Sequence, residues 1–238
     1  MRKVIFFLII SIGVMSAQAF SSEQQIPNRY EDIDFYEKVM ALDPYALTPE
    51  QFYELEKSII CLFSGSGGYH LGEDEINWIR KTTAAFEARN IKLENARERD
   101  FVIAWSYFSD ENYQKALEEF KNIDYQQGME LAEWFINNKG IKDGVVNIKE
   151  YPGPFEDDMA EVKAEDNRYV FAAYFKGPVY RYDKMNNLHA IIYAPECQYD
   201  WCNQLEFKEG KLFIKLRDIG TPGARFVFDN DTHKIAML

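Results

Sequence analysis

Near Gly140 the spacing of apolar residues changes period, and that change limits what this chain can fold into more than any other feature. Before it, Phe35, Tyr36, Val39, Met40 and Leu42 recur at helical spacing, as do Phe52, Leu55, Ile59 and Leu62, and then Ile76, Ile79, Thr83 and Phe86. Apolar residues three or four apart share one face of a helix. After Gly140, Val145-Val146-Asn147-Ile148, Tyr169 through Phe175 and Leu188 through Tyr193 read as strands. The two periods predict an α+β fold. An N-terminal all-α helical domain over residues 20–140 is followed by an antiparallel β-meander over 141–238, closed as a small barrel or sandwich.

Local punctuation supports this division. Thr48-Pro49-Glu50-Gln51 sets a capping residue before proline at the first helical position, with Gln three residues beyond the cap. Ser64-Gly65-Ser66-Gly67-Gly68 interrupts the helices as a flexible loop, and Asn138-Lys139-Gly140 closes the last one. In the second half, three hairpins follow one another. Tyr180-Arg181-Tyr182 turns into Leu188–Ile192, Leu205-Glu206-Phe207 into Leu212-Phe213-Ile214, and Phe226-Val227-Phe228 into Lys234-Ile235. Tyr151-Pro152-Gly153-Pro154 is expected to break a strand and form a loop.

The first residues carry an address. Arg2 and Lys3 precede an apolar run from Val4 through Ile10 that continues to Met15, and Ala17-Gln18-Ala19 supplies the small-x-small pattern read by signal peptidase. The run is too short to span a bilayer, which takes about 20 apolar residues. Residues 1–19 are therefore expected to be a signal peptide cleaved after Ala19, delivering the chain to a Gram-negative periplasm with no stable membrane insertion. Cleavage removes two basic residues and no acidic one. The remaining 25 Lys and Arg against 39 Asp and Glu give a net charge of −14, compared with −12 for the whole chain. Residues 20–140 hold −11 of it, from 12 basic and 23 acidic residues. This balance disfavours nucleic acid and anionic lipid as partners and suits a protein with a basic cleft.

Three cysteines remain in an oxidising compartment. Cys197 and Cys202 bracket Gln198-Tyr199-Asp200-Trp201, a loop short enough to close as a disulfide, whereas Cys61 lies in the apolar stretch Ile59-Ile60-Cys61-Leu62-Phe63. Such a disulfide would hold Tyr199, Asp200 and Trp201 at a loop tip. Immobilised aromatics lose little entropy on binding, so these three are the expected partner-binding residues. Trp201 folding back onto the sheet is the alternative.

Residues 97–137 carry a further pattern. Ile103, Ala104 and Tyr107 provide the large, small and aromatic positions of one helix, and Tyr113, Ala116, Leu117 and Phe120 those of the next. In these positions the segment resembles a tetratricopeptide-type helical pair, which implies a protein-binding scaffold. Asp100 stands where that repeat usually has Trp, and the closing Pro is missing. An antiparallel helical pair within an ordinary all-α domain accounts for the same residues.

Tests for catalysis assemble no complete set. His70, His189 and His233 are far apart in sequence, and no HExxH or CxxC occurs. His70 with Glu73 and Glu75 could hold a metal, but an acidic first turn is sufficient reason for those carboxylates. Ser66 approaches a nucleophile elbow yet has helical patterns on both sides, and Asp229-x-Asp231 lacks the rest of a calcium loop. Glu156-Asp157-Asp158 is expected to be a solvated loop. No catalytic residue, cofactor or metal is expected. The expected function is an exported, non-enzymatic protein-binding protein: an immunity or inhibitor protein that neutralises an envelope-acting toxin or lytic enzyme. The alternatives are a glycan- or peptidoglycan-binding module and a hydrolase whose carboxylates are assembled from distant positions.

Overall fold

The Thr48 cap forms reciprocally: Thr48 Oγ1 accepts from the Gln51 N–H at 3.2 Å, and Gln51 Oε1 accepts from the Thr48 N–H at 2.9 Å. Both donors would otherwise be orphaned at the helix start. In the computed structural model, which describes residues 26–29, 32–65, 68–154, 160–174, 177–195, 201–217 and 223–238, this cap opens the second helix. The helical half runs α1 Phe35–Met40, a 3₁₀ turn Pro44–Ala46, α2 Pro49–Phe63, a small hairpin of β1 Ser64–Gly65 and β2 Gly68–Tyr69, then α3 Glu73–Ala88, α4 Ala96–Ser109, α5 Tyr113–Asn122 and α6 Gln126–Asn138. Helices come first and an antiparallel β-meander follows, as the change of period predicts.

The β half contains β3 Gly144–Val145, β4 Tyr151–Pro152, β5 Val162–Glu165, β6 Tyr169–Ala173, β7 Val179–Asp183, β8 Leu188–Tyr193, β9 Trp201–Lys208, β10 Lys211–Arg217, β11 Arg225–Asp229 and β12 Lys234–Met237. They form two five-stranded antiparallel sheets, ordered β4-β8-β7-β6-β5 and β3-β12-β11-β10-β9. Each is a four-stranded meander with one two-residue strand added at an edge. All three predicted hairpins are present, as β7–β8, β9–β10 and β11–β12.

The sheets pack face to face. Phe171 meets Phe207 at 4.6 Å between ring centroids and Tyr193 meets Phe226 at 5.1 Å, while buried Arg181 donates to Asn230 Oδ1 at 2.9 Å and to Glu150 Oε1 at 2.7 Å. In β10, Leu212, Ile214 and Leu216 point into this core and alternate with more exposed residues. That alternation is the signature of a strand with one solvated face. β8 differs, because five of its six residues are buried.

The second cover on β8 is α6. The connections 110–112 and 123–125 are too short for anything but reversal, so α4, α5 and α6 run up, down and up. Ile103, Ala104, Tyr107, Ala116, Leu117 and Phe120 are all buried in the helical core, together with fully enclosed Phe52 and Phe86. Each such Phe contributes about 1.5–3 kcal/mol by leaving water. Ala132 of α6 belongs to this core, but Trp134 and Phe135 belong to the core between the sheets. The helix thus serves both halves, although the change of sequence period falls after its end.

Two expectations need revising. Tyr151-Pro152 does pair as an edge strand, with register Tyr151 to His189 and Pro152 to Leu188. Proline is tolerated there because the strand is at an edge and ends at once, at Gly153, whose φ of +91° favours glycine. Of Val145–Ile148, only Val145 lies in a strand. Asn147 instead receives the side chain of Asn138: the Asn147 N–H donates to Asn138 Oδ1 at 2.7 Å, and Asn138 Nδ2 donates to the Asn147 carbonyl at 3.0 Å.

Candidate functional site

Gln126, Glu130, Trp134 and Asn138 recur every four residues along α6, and Glu130, Trp134 and Asn138 are buried. They follow one another, about a turn apart, along a single side of the helix. Glu130 is 3% exposed, and both its oxygens accept from His189 Nε2 of β8, at 3.0 and 3.1 Å. Gln126 Nε2 donates to the same carboxylate at 2.8 Å. The Gly153 carbonyl, delivered by the left-handed backbone of that residue, lies 2.7 Å from His189 Nδ1.

The Gly153 carbonyl only accepts, so Nδ1 donates to it, and beside an ionised Glu130 carboxylate Nε2 donates as well, which makes the ring an imidazolium. Burial pushes the His189 pKa down, but the Glu130 and Gly153 acceptors and the Glu130 charge outweigh it and hold it above the ordinary value. The pair is therefore ionic and internally neutral.

Aromatic and proline residues surround it. Tyr151 stacks on His189 at 5.8 Å and donates through its hydroxyl to Glu133 Oε2 at 2.5 Å, and Lys149 Nζ approaches the same carboxylate at 2.5 Å. Burial works to raise the Glu133 pKa, yet the Lys149 and Tyr151 bonds lower it overall. Tyr180 is enclosed beside the pair, and burial followed by the Glu130 charge drives its phenol far above the usual range. Glu130, His189 and Tyr180 floor a groove of about 470 Å³ between the helical half and the first sheet. Trp105, Tyr125 and Leu131 form its helical wall, Pro152, Pro154, Tyr174 and Pro178 its sheet wall, and Gln126 and Gln127 lie along it. Trp105 and Tyr125 are held edge-to-face at 6.5 Å and rest on Phe120, so their wall is an extension of the core.

The residues singled out from sequence lie elsewhere. Cys197, Tyr199 and Asp200 fall outside the described residues, as do Ser66 and Glu156-Asp157-Asp158, and Trp201 is described only by its backbone in β9. Cys202 is a free, buried thiol whose Sγ donates to the Gln204 carbonyl at 3.5 Å; burial pushes its pKa up to about 12. Cys61 is an exposed free thiol, not the packed hydrophobe its apolar neighbours suggest. His70 lies 3.8 Å from Asp110, and Glu73 pairs with Lys115, so the two do not converge. Among the described residues no group of three or more His, Cys, Asp or Glu could hold a metal ion. Asp229 Oδ1 is occupied by Asp231 N, Thr232 N and Thr232 Oγ1 within its own turn. His233 flanks that turn with a φ of +56°.

Sequence reasoning did not single out the Glu130–His189 pair. The available signal was β8 itself: a strand apolar at both odd and even positions is covered on both faces, and a lone His within it needs a partner. No family model matches the chain, and no curated protein is significantly similar to it. No helix among the described residues is long and apolar enough to cross a membrane.

Proposed function

We propose that the chain is an exported binding protein that acts by contact on a protein partner, in the manner of an immunity or inhibitor protein that neutralises an envelope-acting toxin or lytic enzyme. The observation that carries this reading is the groove. Its walls are rigid aromatics and prolines, the combination that anchors partners at low entropic cost. Its one charged pair is spent internally: with both nitrogens donating, His189 offers no lone pair to abstract a proton. The helical half, which supplies one wall of the groove, is the acidic half of the chain, which suits a basic partner and hastens its approach. Export, proposed from residues 1–19, places the protein where such enzymes act. The loop residues Tyr199, Asp200 and Trp201 remain proposed as a second contact.

A glycan-binding role is the second reading, favoured by the same aromatic walls. The two separate on immobilised protein. Envelope extract passed over the chain should leave one saturably bound protein that elutes with salt and whose enzymatic activity the chain suppresses stoichiometrically. Retention of purified cell-wall glycan with no such protein would reject the inhibitor reading.

A further inference from the structure

The second sheet turns one face away from the groove and from the core. In β10, Leu212, Ile214 and Leu216 point inward, so Lys211, Phe213 and Lys215 point out. The strand registers extend these three into rows across the sheet. Lys211 stands between Lys208 of β9 and Asp229 of β11, with Lys234 of β12 beyond; Phe213 is followed by Val227 and Ala236, and Lys215 by Arg225. Successive rows are two residues apart, so the two cationic rows lie about 13 Å from each other with the apolar row midway. Phe213 is 38% exposed, and Lys208, Lys211, Arg225 and Lys234 are exposed as well.

The cations on this face repel one another in the free chain. Lys208 is directly opposite Lys211, and Lys215 is opposite Arg225, positions in which like charges destabilise a sheet. Among the described residues, Lys208, Lys215, Arg225 and Lys234 form no ion pair, and Lys211 acts on Asp229 without one. Asp229 Oδ1 is held within its own turn. Glu206, at the β9 edge, is the other carboxylate in the rows, while Glu209 and Asp231 sit at the hairpin tips. A facing anionic surface would relieve this repulsion.

The acidic helices lie on the opposite side of the molecule. Phe171 and Arg181 reach from the first sheet to the second, whereas His189 reaches the other way, to Glu130 of α6. The layers therefore run helices, first sheet, second sheet, basic face. At about 10 Å per layer, the helical charge sits roughly 20 Å from that face, beyond two Debye lengths of about 8 Å at physiological salt. The field that remains turns the helices away from an anionic surface.

A small anion needs cations that converge on one point, and these are spread over four strands. A soluble polyanion would match the cations and leave the apolar row against water. An anionic bilayer surface matches both, because Lys and Arg heads meet lipid phosphates while their stems and Phe213 enter the apolar boundary. We propose that the outer face of the second sheet docks reversibly on an anionic lipid surface, through the cation rows of Lys208, Lys211, Lys234, Lys215 and Arg225 and the apolar row led by Phe213. Docked in this way, the chain carries its groove on the side away from the bilayer. The inhibitor reading rests on other residues and stands or falls by its own assay.

Chain isolated after export can be sedimented with vesicles of phosphatidylcholine alone or with about one third phosphatidylglycerol. The expected result is binding to the anionic vesicles alone, released by high salt. Lys215→Gln with Arg225→Gln should weaken it about ten- to thirty-fold, and Phe213→Ser about three- to ten-fold, with unchanged thermal unfolding. Lys57→Gln with Lys81→Gln removes the same charge from exposed positions on α2 and α3 and should leave binding unchanged. Equal binding to the two vesicle types, an equal loss in the helical variant, or indifference to Phe213→Ser would overturn the proposal. Inorganic polyphosphate that binds the chain when the anionic vesicles do not would overturn it in favour of a soluble polyanion.

Discussion

Glu130 on α6 and His189 on β8 form a buried ion pair at 3.0 Å that joins the helical half to the first sheet. Removing one member strands the other in the interior, so Glu130→Ala should cost about 3–5 kcal/mol. Replacing both with apolar residues, as Glu130→Leu with His189→Leu, should recover much of that loss, because no charge then stays buried alone. The pH dependence follows from the raised His189 pKa. The pair's contribution is fully present below the ordinary imidazole value and fades as pH rises through the higher folded one. Urea midpoints of the native chain and the double variant at about pH 6 and pH 9 measure this. The native chain's advantage should shrink at the higher pH, and a growing advantage would contradict the charge assignment.

Asp183 has the opposite sign. Its carboxylate accepts from Arg168 Nη2 at 2.8 Å, from the Met185 N–H at 2.9 Å and from Asn186 Nδ2 at 2.9 Å, closing the β7–β8 turn. The Arg168 bond leads in holding its pKa down at about 2. Stability from this group is present above the ordinary carboxylate value and is lost as pH falls toward the depressed one. Asp183→Asn should destabilise by about 1–3 kcal/mol at neutral pH, and the difference should narrow below about pH 3. Acid titration of both chains by far-UV circular dichroism reads the effect. Parallel curves down to the lowest pH would refute it.

The sequence made the meander legible and hid the groove, for one physical reason. In β10 the buried Leu212, Ile214 and Leu216 alternate with outward residues, and such a pattern can be read without knowing what lies opposite. β5 escaped because Val162 and Ala164 are only half-buried, too weak a stripe to stand out. The groove needs Trp105, Gly153 and His189 together, and only the packing of α6 on β8 brings them there. Glu130 looks like one more surface acid until its face of the helix is known.

Gly128 reports on how tightly α6 seats on α5. A Cβ at this position would lie 2.5 Å from Tyr125 Cδ1 and 2.6 Å from Phe120 Cδ1. Alanine gains about 1 kcal/mol of helix propensity over glycine, while overpacking costs about 1–3 kcal/mol. Gly128→Ala should therefore lower stability by about 1 kcal/mol and displace the Tyr125 ring from the groove wall. A melting temperature at or above that of the native chain would show that the helices can separate freely.

The proposed Cys197–Cys202 bridge makes a kinetic demand that the burial of Cys202 exposes. Cys202 is 2% exposed and its thiol is raised to about 12, so in the folded reduced chain it is neither accessible nor ionised. Disulfide exchange proceeds through a thiolate. Such a bond would therefore have to form before β9 packs against β10. Closing so short a loop contributes about 2 kcal/mol by the chain-entropy model. Chain isolated after export and alkylated in denaturant without reductant should carry label at Cys61 alone, whereas prior reduction should label all 3 cysteines. Folded reduced chain exposed to mild oxidant should stay unbridged far longer than the unfolded chain. Label at both Cys197 and Cys202 in the unreduced exported protein would dismiss the bridge, and with it the constraint proposed for Tyr199 and Trp201.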